Sequence, residues 1–163
     1  MATMRTTYTI TLLLAGALGV AVISGCGGGS QDADPAASNN SSTEASLSQD
    51  QIEKGIGPIT NVTLGEIDLE MAAEGEAIFT SKCAACHKMD TRYVGPPLAD
   101  VTLVRTPEFI MNMMLNPDQM IKEHPVGQEL FATYMTPMPN QNMIEVDARK
   151  VLEYLRTVAP ESN

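Results

Sequence analysis

Cysteine, histidine and positive charge are all scarce in this chain. Its 163 residues hold 3 Cys and 2 His, and only 10 Lys or Arg against 20 Asp or Glu. The shortage of cations excludes nucleic acid as a partner, because phosphate binding needs patches of Lys and Arg. With so few histidines and no spare cysteine, there is no set for acid–base or nucleophilic catalysis. No stretch alternates apolar and polar residues with period two over a useful length, which argues against a sheet-built domain. There is no internal repeat, and only one long apolar run.

That run is "ITLLLAGALGVAVI", residues 10–23, preceded by Arg5 as the only charge. It is short for a membrane span and suits the core of a secretory signal. It ends in Ile23-Ser24-Gly25-Cys26, which resembles a bacterial lipobox, an aliphatic residue and two small ones before a cysteine that receives a diacylglycerol. The expectation is a signal peptide over 1–25 and lipidation of Cys26; an uncleaved signal anchor is the competing reading. Cleavage would leave 138 residues (163 − 25). With Arg5 gone, 9 basic residues face 20 acidic ones, a formal charge of −11. Such acidity suits a partner with a basic docking face, and it equally serves solubility.

Residues 26–50 are rich in Gly, Ser, Asn and Asp and nearly free of large apolar side chains. They cannot bury enough surface to offset ordering entropy and read as a flexible tether. Residues 51–67 place Ile56, Ile59, Val62, Leu64 and Ile67 between turn residues and read as an extended strap. The compact domain spans 68–163 and is all-α. Asp68 caps a helix through about Ser81, with Leu69, Ala72, Ala73, Ile78 and Phe79 as the buried stripe. Gly75 inside that helix costs about 1 kcal/mol against Ala and needs a packing reason. Thr106-Pro107-Glu108 starts a second helix that stops at Asn116-Pro117. His124-Pro125 starts a third, through about Tyr134. The two prolines of "TPMPN", 136–140, exclude a helix there. A last helix runs from about Glu145 to Val158, with Val151, Leu152, Leu155 and Val158 on one side.

Against this background two of the three cysteines and one histidine crowd into five residues, Cys83-Ala84-Ala85-Cys86-His87. The spacing matches covalent c-type haem attachment. Two thiols three residues apart reach the two vinyl groups on one porphyrin edge, and the following imidazole ligates iron. A thiol–disulfide pair would need a βαβ setting. A structural zinc site would want four ligands, and only His124 remains to join these three. Lipid on Cys26 and haem on Cys83 and Cys86 use every cysteine.

Residues 70–158 resemble a class I monohaem cytochrome c. Gly75-Glu76-Ala77-Ile78-Phe79 is similar to that family's Gly-x-x-x-aromatic pattern, and Val151-Leu152-Glu153-Tyr154-Leu155 to the pattern of its last helix. The resemblance implies that the two helices cross at Gly75, with Tyr154 packed there. Gly95-Pro96-Pro97-Leu98 resembles the loop whose proline carbonyl, here that of Pro96, accepts the N–H of the proximal histidine, here His87.

For the sixth iron ligand the family places a methionine shortly before the last helix, often followed by proline. Met138-Pro139 fits, with Met135 as the alternative. Met111, Met113 and Met114 read as core filler, and Met89 is too near His87 in sequence. His124 is the rival that would make a bis-His haem, but it reads as a solvated helix start.

The implied function is electron transfer between a donor and an acceptor redox protein by a membrane-tethered carrier with one covalent haem c and His87/Met138 ligation. Two alternatives stay open: a gas-binding sensor or peroxidase-like enzyme with a labile sixth ligand, and a fixed subunit of a respiratory complex. "GIGPITNV" and the stretch 115–142 are similar to lipoprotein cytochromes c of Bacteroidota-like bacteria, some associated with nitrous-oxide reductase. The place implied is the cell envelope, facing the periplasm, with the leaflet left open.

Overall fold

The computed structural model describes residues 46–160. The expected signal peptide, the expected lipidation site Cys26 and most of the expected tether lie outside the described residues. Among the described residues every element is helical: α1 (Gln49–Lys54), α2 (Leu69–Lys82), α3 (Val101–Val104), α4 (Pro107–Leu115), α5 (Pro117–Glu123), α6 (Pro125–Tyr134) and α7 (Glu145–Val158). No helix here is long and apolar enough to cross a membrane.

The first and last long helices form the frame. Asp68 caps α2 by accepting the Met71 N–H at 2.9 Å. Ala72, Gly75 and Phe79 face inward, whereas Leu69 is 73% exposed and Ala73 is also exposed. Of the expected stripe, Ala72 and Phe79 are buried and Ile78 is half-buried, while Leu69 and Ala73 fall outside it because the face carrying Gly75 meets α7. A Cβ on Gly75 would lie 2.5 Å from the Lys150 carbonyl carbon and closer still to its oxygen. Only glycine permits this approach. One turn further along α2, the Phe79 and Tyr154 rings meet with centroids 5.4 Å apart. Glu74 and Lys150 close the other side at 2.5 Å. On α7 the residues Ala148, Val151, Leu152 and Leu155 are buried, and Val158 is half-buried.

Two short helices, α3 and α5, are additions to the sequence reading. Asn116 ends α4 and begins α5 at once. Pro117 lacks the N–H that would continue α4, yet its fixed φ suits a first helical position. The same residue thus stops one helix and starts the next. The α5–α6 corner is tight, since a Cβ on Gly127 would lie 2.5 Å from the Met120 carbonyl carbon.

The boundary between tether and strap moves. Gln49 and Asp50, read as tether, form the first turn of α1, and residues 51–54 of the expected extended strap are helical. The cause is a capping box. The Ser48 hydroxyl accepts from the Gln51 N–H at 3.2 Å, and the Gln51 side chain accepts from the Ser48 N–H at 3.0 Å. Beyond Gly55 the chain is non-helical up to Asp68, with Ile56 and Ile59 buried.

Buried side chains supply the partners that a strand ladder would otherwise give this backbone. Asn112 accepts from Ile59 N–H at 2.9 Å and donates to the Lys54 and Ile59 carbonyls at 2.9 and 2.8 Å. Glu108 accepts from Val62 N–H at 2.7 Å. Asn116 donates to the Ile56 carbonyl at 3.1 Å.

His124 corrects the sequence reading most sharply, because it is 0% exposed rather than solvated. Its Nδ1 accepts from Val126 N–H at 3.1 Å, and its Nε2–H donates to the Ile52 carbonyl at 3.1 Å. Its ring stands edge-on to Phe109, centroids 5.2 Å apart. Arrival of α1 over α4 and the α5–α6 corner buries it. That is a tertiary event which the local run Lys122-Glu123-His124-Pro125 does not reveal.

Candidate functional site

The frame and the shorter helices leave a cavity of about 610 Å³, within the range of about 300–1,000 Å³ that cofactor pockets occupy. Its walls are mainly apolar. Phe79 comes from α2 and Cys83 from its C-cap, Ile110 and Met114 from α4, Leu130 and Phe131 from α6.

Cys83, Cys86 and His87 share this cavity. Cys83 caps α2 through its N–H to the Phe79 carbonyl at 2.8 Å, and the chain then turns tightly. Both Cys86 and His87 donate their N–H to the Cys83 carbonyl, at 3.0 and 2.9 Å. The two thiols are free. Burial pushes the Cys83 thiol up to about 11, against the opposing pull of Lys82. Gly95 N–H returns to the Cys86 carbonyl at 2.8 Å and closes the loop.

That closure brings Pro96 under His87. His87 Nδ1–H donates to the Pro96 carbonyl at 3.0 Å. A carbonyl can only accept, so this bond fixes the tautomer and leaves the Nε2 lone pair free to bind a metal. Gly95 makes room for the ring, because a Cβ there would lie 2.6 Å from His87 Cε1.

Four methionines border the cavity, and Met135 does not. Met138 is half-buried and lines the cavity. Met135 is 75% exposed at the left-handed cap of α6, with φ 53°, and is not among the lining residues. Met111 is core, while Met89, Met113 and Met114 also border the cavity. His124 does not border it, and both its ring nitrogens are occupied. Among the described residues no group of three or more His, Cys, Asp or Glu could hold a metal ion.

Charge is sorted across the surface. Lys54, Arg149, Lys150 and Arg156 lie against carboxylates away from the cavity. The cations of the segments around its mouth make other contacts. Lys82 donates to the Gln141 carbonyl at 3.1 Å and Lys88 to the Ala84 carbonyl at 3.0 Å. Arg92 donates to the Thr133 carbonyl at 2.7 Å and stacks on Tyr134, 4.3 Å from its centroid. Arg105 stands over Phe109 at 5.2 Å.

Sequence reasoning missed the wall supplied by α5 and α6 and the role of Arg92. The hint for the wall was Leu130-Phe131 inside a short Pro-initiated helix. Nothing local pointed to Arg92.

Known proteins resemble this chain. The cytochrome c family model matches residues 72–159. The chain is 48% identical to a cytochrome c from Rhodothermus marinus of known structure, over 68% of this chain and 96% of that one, with a TM-score of 0.65. An engineered form of that protein, bound to a carbene intermediate, is 47% identical over the same shares, with a TM-score of 0.62. A 32-residue stretch is 59% identical to cytochrome c-551 of Stutzerimonas stutzeri, covering 19% of this chain and 31% of that relative. With its cavity, its Cys-x-x-Cys-His turn and these relatives, the chain belongs to the cytochrome c family, whose covalent haem c is its cofactor.

Proposed function

We propose that this chain is a single-electron carrier in which His87 and Met138 both ligate the haem iron, tethered to the membrane through a lipid on Cys26. The observation that carries the reading is Met138 lining the cavity that holds His87, with Met135 outside it. The residues suit the group. Cys83 and Cys86 offer two free thiols on one wall, Gly95 leaves space for the imidazole, and the other walls are apolar.

When bound, haem iron supplies a one-electron couple. The chain's own residues set its surroundings. Pro96 holds His87 by Nδ1–H and keeps Nε2 available. Phe79, Ile110, Leu130 and Leu155 exclude water from the cavity. Met138 would hold the bound group by its thioether from the cavity wall and would leave no place for substrate, which would separate a carrier from a gas sensor or peroxidase.

Partners follow from the sorted charge. The protein is acidic overall, which favours a basic partner, yet Lys82 and Lys88 flank the attachment turn and Arg105 lines the cavity beside Asp90 and Asp100. Electron exchange takes place where the cofactor is nearest the surface, so local sign outweighs net charge. Donor and acceptor are redox proteins that present acidic patches in turn; nitrous-oxide reductase is one candidate. The place is the periplasmic side of the cell envelope.

Stopped-flow oxidation of the reduced, haem-loaded full chain by ferricyanide tests this. One electron should pass per haem, giving ferrocyanide, and the rate should fall as salt rises. A cationic cobalt complex should show the opposite slope. Reversed slopes would refute the local-charge reading. Catalytic turnover of peroxide would refute the carrier reading.

A further inference from the structure

The Met138 loop holds itself in place poorly. Residues 136–143 make no backbone–backbone hydrogen bond. The loop is entered at Met135 (φ 53°) and left at Asn142 (φ 50°), both left-handed non-glycine residues. Its own polar contacts are short-range: Asn142 N–H to Asn140 Oδ1 at 2.8 Å and Gln141 Nε2–H to the Pro139 carbonyl at 3.2 Å. Two prolines stiffen it, and Met143 buries its far end.

Two distant side chains meet the loop's ends. Lys82, the residue before Cys83, donates to the Gln141 carbonyl at 3.1 Å. Arg92, five residues after His87, grips the last turn of α6 through the Thr133 carbonyl at 2.7 Å and the Tyr134 ring at 4.3 Å. A planar guanidinium can do both at once, because the fork donates in its plane while the face stacks. The cations on either side of the haem-attachment turn thus reach across to the two ends of the loop that carries Met138.

We propose that Lys82 and Arg92 are positioning residues that brace the Met138 loop from the attachment turn and keep its thioether from yielding to competing ligands. The proposal rests on the His87/Met138 reading. Neither side chain lines the cavity. Each raises the cost of swinging the loop away, which any incoming sixth ligand must meet.

The test is imidazole titration of the oxidised, haem-loaded full chain, followed by the shift of the Soret band in every variant and, where Met138 is present, by loss of the far-red methionine–iron band. Lys82→Ala/Arg92→Ala should bind imidazole about tenfold more tightly than the unaltered protein, the combined worth of an exposed charged hydrogen bond and a stacked one. Arg92→Lys should restore part of the difference, as it keeps a charged donor and loses the planar stack. Lys122→Ala, an exposed cation on α5, should leave the affinity unchanged. Met138→Ala, run alongside, should bind imidazole more tightly than all of them. If Met138→Ala rises and the double variant does not, the brace is refuted while the ligation stands. If Met138→Ala equals the unaltered protein, the ligation reading fails and the brace with it. A lower denaturation midpoint in the double variant with unchanged imidazole affinity would also refute the brace, since it would show a merely structural role.

Discussion

Replacing Gly75 by alanine tests the frame on which the site is built. The new Cβ would lie 2.5 Å from the Lys150 carbonyl carbon and nearer still to its oxygen. Both obstructing atoms are backbone inside α7, so no rotamer change relieves the clash. The helices must separate by about 1 Å to regain van der Waals spacing. Phe79 and Tyr154, packed one turn away at 5.4 Å, would loosen with them. Overpacking of this kind costs about 3 kcal/mol. Alanine's better helix propensity returns about 1 kcal/mol. The net loss is about 2 kcal/mol, or a fall in Tm of about 8 °C for a domain of this size. Thermal and denaturant unfolding of the haem-loaded protein would measure it. Gly65→Ala is the control, because a Cβ there meets nothing within 4 Å. If Gly75→Ala were as stable as the unaltered protein, propensity would outweigh contact and the close crossing would be wrong.

Three further outcomes are expected. Asn112→Ala strips the strap of a fully buried acceptor and two donors and should lower stability by about 3 kcal/mol, read from denaturant unfolding. His124→Ala should cost about 2 kcal/mol by leaving Val126 N–H and the Ile52 carbonyl unpaired. It should leave the far-red methionine band intact, whereas loss of that band would restore His124 as a ligand candidate. Gly95→Ala should displace the His87 ring, whose Cε1 would be 2.6 Å from the new Cβ, and weaken its bond to Pro96. A shifted reduction potential with unchanged haem content is the expected sign.

The long helices were legible because their signals are local. Asp68 and Thr106 cap α2 and α4 as their side chains require. The prolines at 137 and 139 end regular structure wherever they stand. Cys83, Cys86 and His87 were legible as a group since their spacing is itself the chemical requirement. What escaped depends on distant partners. On α2, Ala72 and Phe79 were placed correctly and Leu69 and Ala73 were not, because the contact with α7 centres on Gly75. Leu69 is an ordinary exposed apolar residue at a helix start. His124 looked solvated because its cover, α1, lies more than seventy residues earlier. The start of α1 was absorbed into the tether, since Ser48-Gln49-Asp50 differs little in composition from the linker before it. Its capping box gives order without a buried side chain in the helix itself.

The sorted cations show a related limit. A count of charges predicts an acidic protein and says nothing of where the unneutralised cations lie. Lys150 and Arg156 are held by carboxylates on the frame helices. Lys88 and Arg92 are held by carbonyls and aromatic faces near the cavity. Their positive charge therefore stays available to an approaching partner.

The most direct test of the central claim, a closed His87/Met138 haem, is the visible spectrum of the full chain co-expressed with haem-maturation machinery. It is recorded oxidised, reduced, and reduced under carbon monoxide, beside Met138→Ala and Met135→Ala. The account predicts a low-spin spectrum that carbon monoxide does not change. It also predicts a far-red methionine–iron band lost in Met138→Ala and kept in Met135→Ala. A high-spin or carbon-monoxide-sensitive spectrum in the unaltered protein would contradict it and place ligand binding ahead of electron transfer.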